Sequence, residues 1–481
     1  MTPIFCDGGL SKFRLNFEAI STQMNKMFWL SIAGIAIVAN NYGQTSIQSN
    51  KDISIMSFKK ANWINNTDVY EVNLRQYSQE GTFNAFQKEL PRLKDMGVST
   101  LWLMPITPIS QKHKKGTMGS QYACSDYTAI NPEFGNLDDF KSLVKLAHEM
   151  GFKVIIDWVA NHTGWDHVWT VTHPEYYKID TATGDFKIAS GMDDIIELDY
   201  DNTHLRKAMI DAMKYWITEC DIDGYRCDLA FWVRLDFWME ARASLEKTKT
   251  LFWLAESDPL ENPDYYHAFD ACYTWTWMHK TEDFYKHHPD KNILDSILHR
   301  YAHTEKKTDI KLWFTANHDE NSWNGTEYEK YGAAAKAFAV HSFTWEGIPL
   351  IYSGQELPNL KRLQFFEKDV IEWGEQYELH DFYKTLLKLR KTNPALRAGD
   401  TESITISLQT NAANNVLAYL RKNGNHEVLV LLNMSNQRVN CVVNDVRLNG
   451  NFIDIFSINK HDFSENKSFD LNPWDYLVFE K

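Results

Sequence analysis

The chain has 481 residues, 44% of them hydrophobic, enough to bury the core of one large domain plus a smaller one. Its formal net charge of -14 repels phosphate backbones and anionic lipid surfaces, which argues against nucleic acid or a charged membrane face as a partner. Aromatic residues make up 14%, with 17 tryptophans; most of these rings are expected to pack the core, but flat apolar faces also suit the C–H faces of sugars.

Residues 1–43 read as a leader. Translation is read as starting at Met24, because the stretch before it is polar and patternless. Asn25 and Lys26 then precede an apolar run over 27–39, shorter than the roughly 20 residues a bilayer requires. It fits the apolar region of a signal peptide, with cleavage somewhere in 39–44. The mature protein is therefore expected to be exported, to the periplasm or outside the cell, without a membrane span. The six cysteines, Cys6, Cys124, Cys220, Cys227, Cys272 and Cys441, show no CxxC metal spacing. Removal of the leader leaves an odd number, so no disulfide framework is expected. Cys227 reads as a small buried hydrophobe.

From residue 68 to 356, short β-rich runs alternate with helical patterns. The runs are 68–77, 100–106, 152–159, 224–230, 251–257, 271–276, 311–319 and 349–356. Between them, stretches such as 82–96, 137–150 and 205–219 carry apolar residues near a 3.6 period. Eight strand-helix repeats predict an α/β fold of the (β/α)8 TIM-barrel class over residues 60–396. One connection, 161–202, is too long and irregular for a simple loop and reads as a small inserted subdomain after the third strand. Beyond residue 397 the texture turns to short alternating runs separated by Asn and Gly, predicting a C-terminal antiparallel β-sandwich over 397–481.

Barrel enzymes place their chemistry at the C-terminal ends of the strands. Four such ends carry polar residues: Asp157, Asn161 and His162 after the third run, Arg226 and Asp228 in the fourth, Glu256 after the fifth, and Asn317, His318, Asp319 and Glu320 after the seventh. Any one of these is equally well read as a helix cap. Convergence of four is harder to explain that way. Glycoside cleavage needs two carboxyl groups flanking one bond, about 5 to 5.5 Å apart for retention and farther for inversion, and the adjacent fourth and fifth strands can supply the closer pair. Arg226 shares a barrel face with Asp228 and is expected to hold it ionised. Glu256 follows the apolar residues 251–255, where burial and nearby anions are expected to raise its pKa and keep it protonated.

The segments around Asp157 to His162, Gly224 to Asp228, Glu256, and Asn317 to Asp319 resemble, in order and strand placement, the four signature regions of the α-amylase family, glycoside hydrolase family 13. Residues 119–122 and 126–135 resemble that family's second-strand loop, and 349–356 its eighth strand. The resemblance covers about 68–391. It implies a retaining α-glucoside hydrolase acting mainly on α-1,4 bonds of starch-like glucans or maltooligosaccharides. In that implied scheme Asp228 is the nucleophile, Glu256 the acid/base and Asp319 the third carboxylate. His162 and His318 contact the cleaved sugar, Tyr122 is a stacking platform, and Asp157 is a structural acid pairing Arg226. No organic cofactor is expected. Asn161 matches a position that ligates calcium in many members, where Asp193, Asp194 or Asp199 are the oxygen ligands available to join it; the alternative is that Asn161 only hydrogen-bonds the insert to the barrel. Leu229, Ala230, Phe231 and Trp232 stand where many starch-cleaving members carry Lys-His, which leaves the product pattern open. The alternatives are an α-glucan transglycosylase or isomerase of the same family, in which a sugar hydroxyl intercepts the glycosyl-enzyme, and an inactive sugar-binding scaffold. Oligomeric state is not legible.

Overall fold

A computed structural model describes residues 58–287, 290–304 and 306–481. The leader and its signal sequence lie outside the described residues. Eight parallel strands close into a barrel in sequence order. They are β1 (Val69–Val72), β2 (Thr100–Leu103), β3 (Lys153–Trp158), β4 (Gly224–Cys227), β5 (Phe252–Ala255), β6 (Ala271–Tyr273), β7 (Ile310–Trp313) and β8 (Ile348–Tyr352). Each lies within or across one of the eight expected runs. Every residue of the barrel strands except Lys153 is buried, as expected of strands with side chains on one face filling the barrel and on the other meeting helices.

Local chemistry fixes the helix ends. Leu137–Glu149 opens on a capping box in which the Asn136 side chain accepts from the Asp139 amide and Asp139 returns the bond. Thr203–Cys220 is capped by the Asn202 side chain, and Leu90–Met96 stops at Gly97, whose φ of 104° is left-handed. The first expected strand ends early. After Val72 the chain turns into a short helix, Leu74–Tyr77, with all four side chains buried. Apolar and polar residues still alternate there, which mimics a strand. The rim instead bends inward, and the Arg75 guanidinium donates to the Gly119 carbonyl of the β2 loop at 2.9 Å.

The long connection after β3 forms a three-stranded antiparallel sheet in the order His162–Gly164, Met192–Glu197, Ile188–Ala189. It is tied back to the barrel by the Leu198 amide on the Asn161 carbonyl, 3.0 Å, and by Tyr200 Oη on the Ala160 carbonyl, 2.7 Å. Past the barrel, a six-stranded antiparallel sheet and a two-stranded one make up the tail. The strand Val416–Asn423 shows why the tail has two covered faces. Leu417 and Tyr419 belong to the core shared with the barrel, whereas Val416, Ala418 and Leu420 fill the tail's own core, as the period of two requires. Among the described residues the cysteines Cys124, Cys220, Cys227, Cys272 and Cys441 are free and buried, and no helix is long and apolar enough to cross a membrane.

The entry of β4 depends on Gly224. A Cβ there would lie 2.1 Å from the Phe252 carbonyl oxygen of β5, a backbone atom that cannot swing aside. Gly224→Ala is therefore expected to cost about 1–3 kcal/mol through overpacking, read as a lower denaturant midpoint with unchanged m-value. An unaltered midpoint would mean that the β4–β5 spacing is slack.

Candidate active site

The register of the barrel brings the acidic strand ends together. Asp157 pairs laterally with Arg226 across β3 and β4, and Cys227 pairs with Ala255 across β4 and β5. Asp228 and Glu256, each one residue further, thus leave neighbouring strands at the same level, where adjacent strands run about 4.8 Å apart. The Glu256 amide donates to the Cys227 carbonyl at 3.0 Å, which locks that level. Asp319 follows β7 and leads into a π-helical turn, Glu320–Asn324.

At the centre is Arg226, fully buried inside the barrel. Its Nη1 donates to Asp157 Oδ1 and to Asp228 Oδ1, both at 2.9 Å, and its Nη2 lies 2.9 Å from Glu256 Oε2 as an ion contact outside hydrogen-bond geometry. Its guanidinium carbon sits 4.9 Å from the Trp102 ring centre and 5.6 Å from that of Tyr273, so aromatic faces replace the water it has lost. Glu256 Oε2 also accepts from the Leu229 amide at 2.8 Å. Burial pushes the Asp228, Glu256 and Asp319 carboxyls up; Arg226 pulls Asp228 and Glu256 back, and His318 does the same for Asp319, without cancelling the effect. The expected contacts of Arg226 with Asp157 and Asp228 are both present, and the same guanidinium also reaches Glu256, so that it is divided among three carboxylates.

A second chain of contacts runs from Asp157 to His318. Asp157 Oδ2 accepts from Trp102 Nε1 at 3.2 Å and from Tyr122 Oη at 3.0 Å. Tyr122 Oη then meets His318 Nε2 at 2.8 Å, and that nitrogen is also 3.3 Å from Asp319 Oδ2. The Tyr122 and His318 rings are stacked, 5.3 Å apart and 13° from parallel. Asp319 is the most open of the three, its side chain 34% exposed, while those of Asp228 and Glu256 are 8% and 7% exposed.

His162 opens the insert's first strand and reaches the same rim. Its Nδ1 faces Asn161 Nδ2 at 3.4 Å, so Nδ1 accepts and the hydrogen resides on Nε2. That Nε2 is buried and makes no well-formed hydrogen bond among the described residues, which leaves one donor for a ligand oxygen. Burial depresses His162 to about 4, against the pull of Asp194 and Glu197, so the ring is neutral at ordinary pH.

Some residues of this constellation were not among the sequence candidates. Glu71, at the end of β1, is fully buried and lies 2.5 Å from His318 Nδ1. Trp102 and Tyr273 surround Arg226. Phe365, from the β8 loop, stacks beyond Tyr122 at 6.1 Å and 20°, and touches Trp323 at 5.4 Å, forming an aromatic wall beside the acids. The rule that found the acidic strand ends also applies to Glu71, once β1 is known to stop at Val72.

Comparison with known proteins agrees with this geometry. The family model described as "Alpha amylase, catalytic domain" matches residues 48–186 and 171–368. An α-amylase of Dictyoglomus thermophilum is 25% identical over 85% of this chain and 75% of its own length. A cyclomaltodextrinase of Thermoanaerobacter pseudethanolicus is 24% identical over 76% of this chain, which spans 66% of that relative. Among solved structures, a maltogenic α-amylase of Thermotoga neapolitana superimposes with a TM-score of 0.78 at 29% identity, covering 87% of this chain and 99% of that one.

The residues present do not fit the calcium site expected at Asn161. Asp193 and Asp194 are both held by Lys115, whose Nζ lies 2.9 and 2.8 Å from their Oδ1 atoms. The Asn161 carbonyl takes the Leu198 amide, its side-chain amide faces His162, and Asp199 Oδ1 takes the Asp201 amide. Among the described residues no three His, Cys, Asp or Glu side chains converge as a metal site. The cation at these carboxylates is an ammonium. Chelation with EDTA is expected to leave the melting temperature and activity unchanged, whereas Lys115→Met, which strands the buried Asp194, should cost about 1–3 kcal/mol. A fall in melting temperature on chelation that calcium reverses would overturn this assignment.

Proposed function

Given that the chain belongs to the α-amylase family of glycoside hydrolases, we propose that it hydrolyses α-glucosidic bonds, mainly α-1,4, in starch-like glucans or maltooligosaccharides with retention of configuration. The observation that carries this reading is the single Arg226 guanidinium reaching Asp157, Asp228 and Glu256 at the ends of three consecutive strands. Retention needs two carboxyl groups about 5 to 5.5 Å apart, and adjacent strand ends at one level have that spacing built in. Asp228, oriented by a hydrogen bond from Arg226, serves as the nucleophile. Glu256 contacts the guanidinium only outside hydrogen-bond geometry, so the proton that the crowded anions retain is assigned to it.

In the first step an Asp228 carboxylate oxygen attacks the anomeric carbon while the Glu256 proton passes to the departing glycosidic oxygen. The C–O bond to the leaving glucan breaks as the glycosyl ester forms. Glu256, now ionised, takes a proton from water, which attacks the same carbon and releases Asp228. Asp319, half open to the rim, and the Nε2–H of His162 are suited to grip hydroxyls of the sugar being distorted. Hydrogen bonds that tighten as the oxocarbenium-like state forms accelerate the step instead of only improving binding. Trp102, Tyr122 and Tyr273 enclose the charged centre with ring faces.

Partition of the intermediate between water and a sugar hydroxyl is decided on the aglycone side. There Leu229 adopts a left-handed conformation with φ of 39° that points its amide at Glu256, and the Phe231 and Trp232 rings follow it, 6.0 Å apart. Water is the main acceptor, with transfer to sugar as a side reaction at high sugar concentration. The apolar run over 27–39 supports export to the periplasm or beyond. N-terminal sequencing of the native mature protein is expected to begin within 40–45, and retention of Phe28 would sink the export proposal.

Proton NMR of freshly cleaved maltooligosaccharides should show the α-anomer before mutarotation, and Asp228→Asn should lose roughly three or more orders of magnitude in kcat while keeping its fold, since an amide cannot form the glycosyl ester. A β-anomer appearing first, or near-normal turnover by folded Asp228→Asn, would refute the assignments.

A further inference from the structure

The hydrogen-bond polarity around His318 can be read from one end. Asp157 Oδ2 receives two donors, Trp102 Nε1 and Tyr122 Oη. Tyr122 has one hydrogen, and it is spent on Asp157. Its contact with His318 Nε2 at 2.8 Å is therefore a bond in which the imidazole donates, so Nε2 carries a hydrogen. On the other side of the ring, Nδ1 and Glu71 Oε1 are 2.5 Å apart, a separation that requires a proton between them.

We infer that Glu71 is a positioning residue that keeps His318 doubly protonated, so that the ring presents a fixed positive charge and an Nε2–H to the rim beside Asp319. The inference rests on the proposed hydrolase reading for its catalytic consequence, but the protonation state itself does not.

The proton's side of the bond is set by what surrounds the pair. Besides Glu71, Asp319 beside the ring is the anion that most favours a cation at His318; Asp157 on β3 and Asp228 after β4 add smaller pulls, while Glu256 after β5 holds the proton assigned to it. Arg226 opposes it, and Tyr122, Tyr273 and Tyr352 are neutral neighbours of the pair. Burial works against the imidazolium, yet Asp319 and Glu71 outweigh it and hold the ring at about 9. Burial also pushes the Glu71 carboxyl up, with His318 pulling it back. Each group thus competes for the one proton, which is the condition for a short bond. Glu71 Oε2 makes no hydrogen bond among the described residues, so the ring is the hydrogen-bond partner of this carboxylate, and Arg226 acts on it only through its charge.

The sign of the pH effect follows. His318 has its raised pKa in the folded state, so its charge is present below that value and is lost as pH rises through it. Replacing the carboxylate by the isosteric amide in Glu71→Gln removes one of the two anions that raise it. The alkaline limb of kcat/KM should then move to lower pH by about one to three units, the range an adjacent opposite charge produces, while the acid limb stays in place. Glu71→Asp, which keeps the charge, should retain most of the wild-type limb. A purely structural role for Glu71 would lower activity evenly across pH.

The deciding measurement is heteronuclear NMR of the His318 imidazole in the wild-type chain, assigned by its loss in His318→Gln. Both ring nitrogens should be protonated at pH 7.5, and Glu71→Gln should convert the ring to a neutral tautomer at the same pH. A wild-type ring already neutral at pH 7.5, or an alkaline limb that does not move in folded Glu71→Gln, overturns the inference. If the wild-type chain cleaves no α-glucan, the hydrolase reading fails while the NMR result still decides the role of Glu71.

Discussion

The site depends on one buried cation. Placing a guanidinium inside a barrel costs several kcal/mol of hydration unless partners replace the water. Here the partners come from different parts of the chain: carboxylates on β3 and just after β4 and β5, and ring faces from Trp102 on β2 and Tyr273 on β6. Arg226 therefore ties two levels of the rim together: Asp157 stands beside it on β3, whereas Asp228 and Glu256 leave β4 and β5 two residues further along, and its fork reaches both levels at once. The same contacts that offset the burial of a charge hold the Asp228 and Glu256 carboxyl groups around one guanidinium.

A single cation cannot satisfy this many anions, and that shortfall is itself useful. Burial and mutual repulsion push Asp228, Glu256 and Asp319 toward protonation, so the cluster retains protons that free carboxylates would release. The environment separates the acids. Asp228 has a well-formed bond to Arg226, Glu256 has an amide donor and an ill-aligned guanidinium, and Asp319 has His318 and partial access to solvent. Two titratable groups driven apart by their surroundings can play acid and nucleophile in one reaction.

Much of this was legible in the sequence, and the misses have physical causes. The barrel strands announced themselves because each is an apolar run between polar breaks, and a polar residue ending such a run marks the catalytic rim. Glu71 escaped the same rule because apolar and polar residues alternate without a break from Tyr70 through Arg75. Local pattern could not reveal that β1 stops at Val72 and that Leu74 to Tyr77 coil over the rim. Trp102 and Tyr273 looked like ordinary core rings, since only the closed barrel turns them toward Arg226. Phe365 and Trp323 lie on loops whose path no periodicity encodes. The calcium donors near Asn161 were plausible by residue type, but Lys115, distant in sequence, reaches Asp193 and Asp194 in their place.

The strand order of the C-terminal sheet bears on when the molecule can finish folding. The strand Tyr476–Glu480 is made after all the others of that sheet, yet it lies in its interior, bonded to His426–Asn433 on one side and to Asn451–Asp454 on the other. Until it leaves the ribosome, those two strands have no bridge, and Val428, Val430 and Leu432, which face the barrel, sit on a sheet with an open edge. Sheet completion thus waits for the last-made of its strands, and the barrel surface beneath waits for its cover. A nascent chain of this design passes through an interval with an unpaired strand edge exposed, which makes the time between synthesis of Asn451–Asp454 and of Tyr476–Glu480 a determinant of how much of it folds.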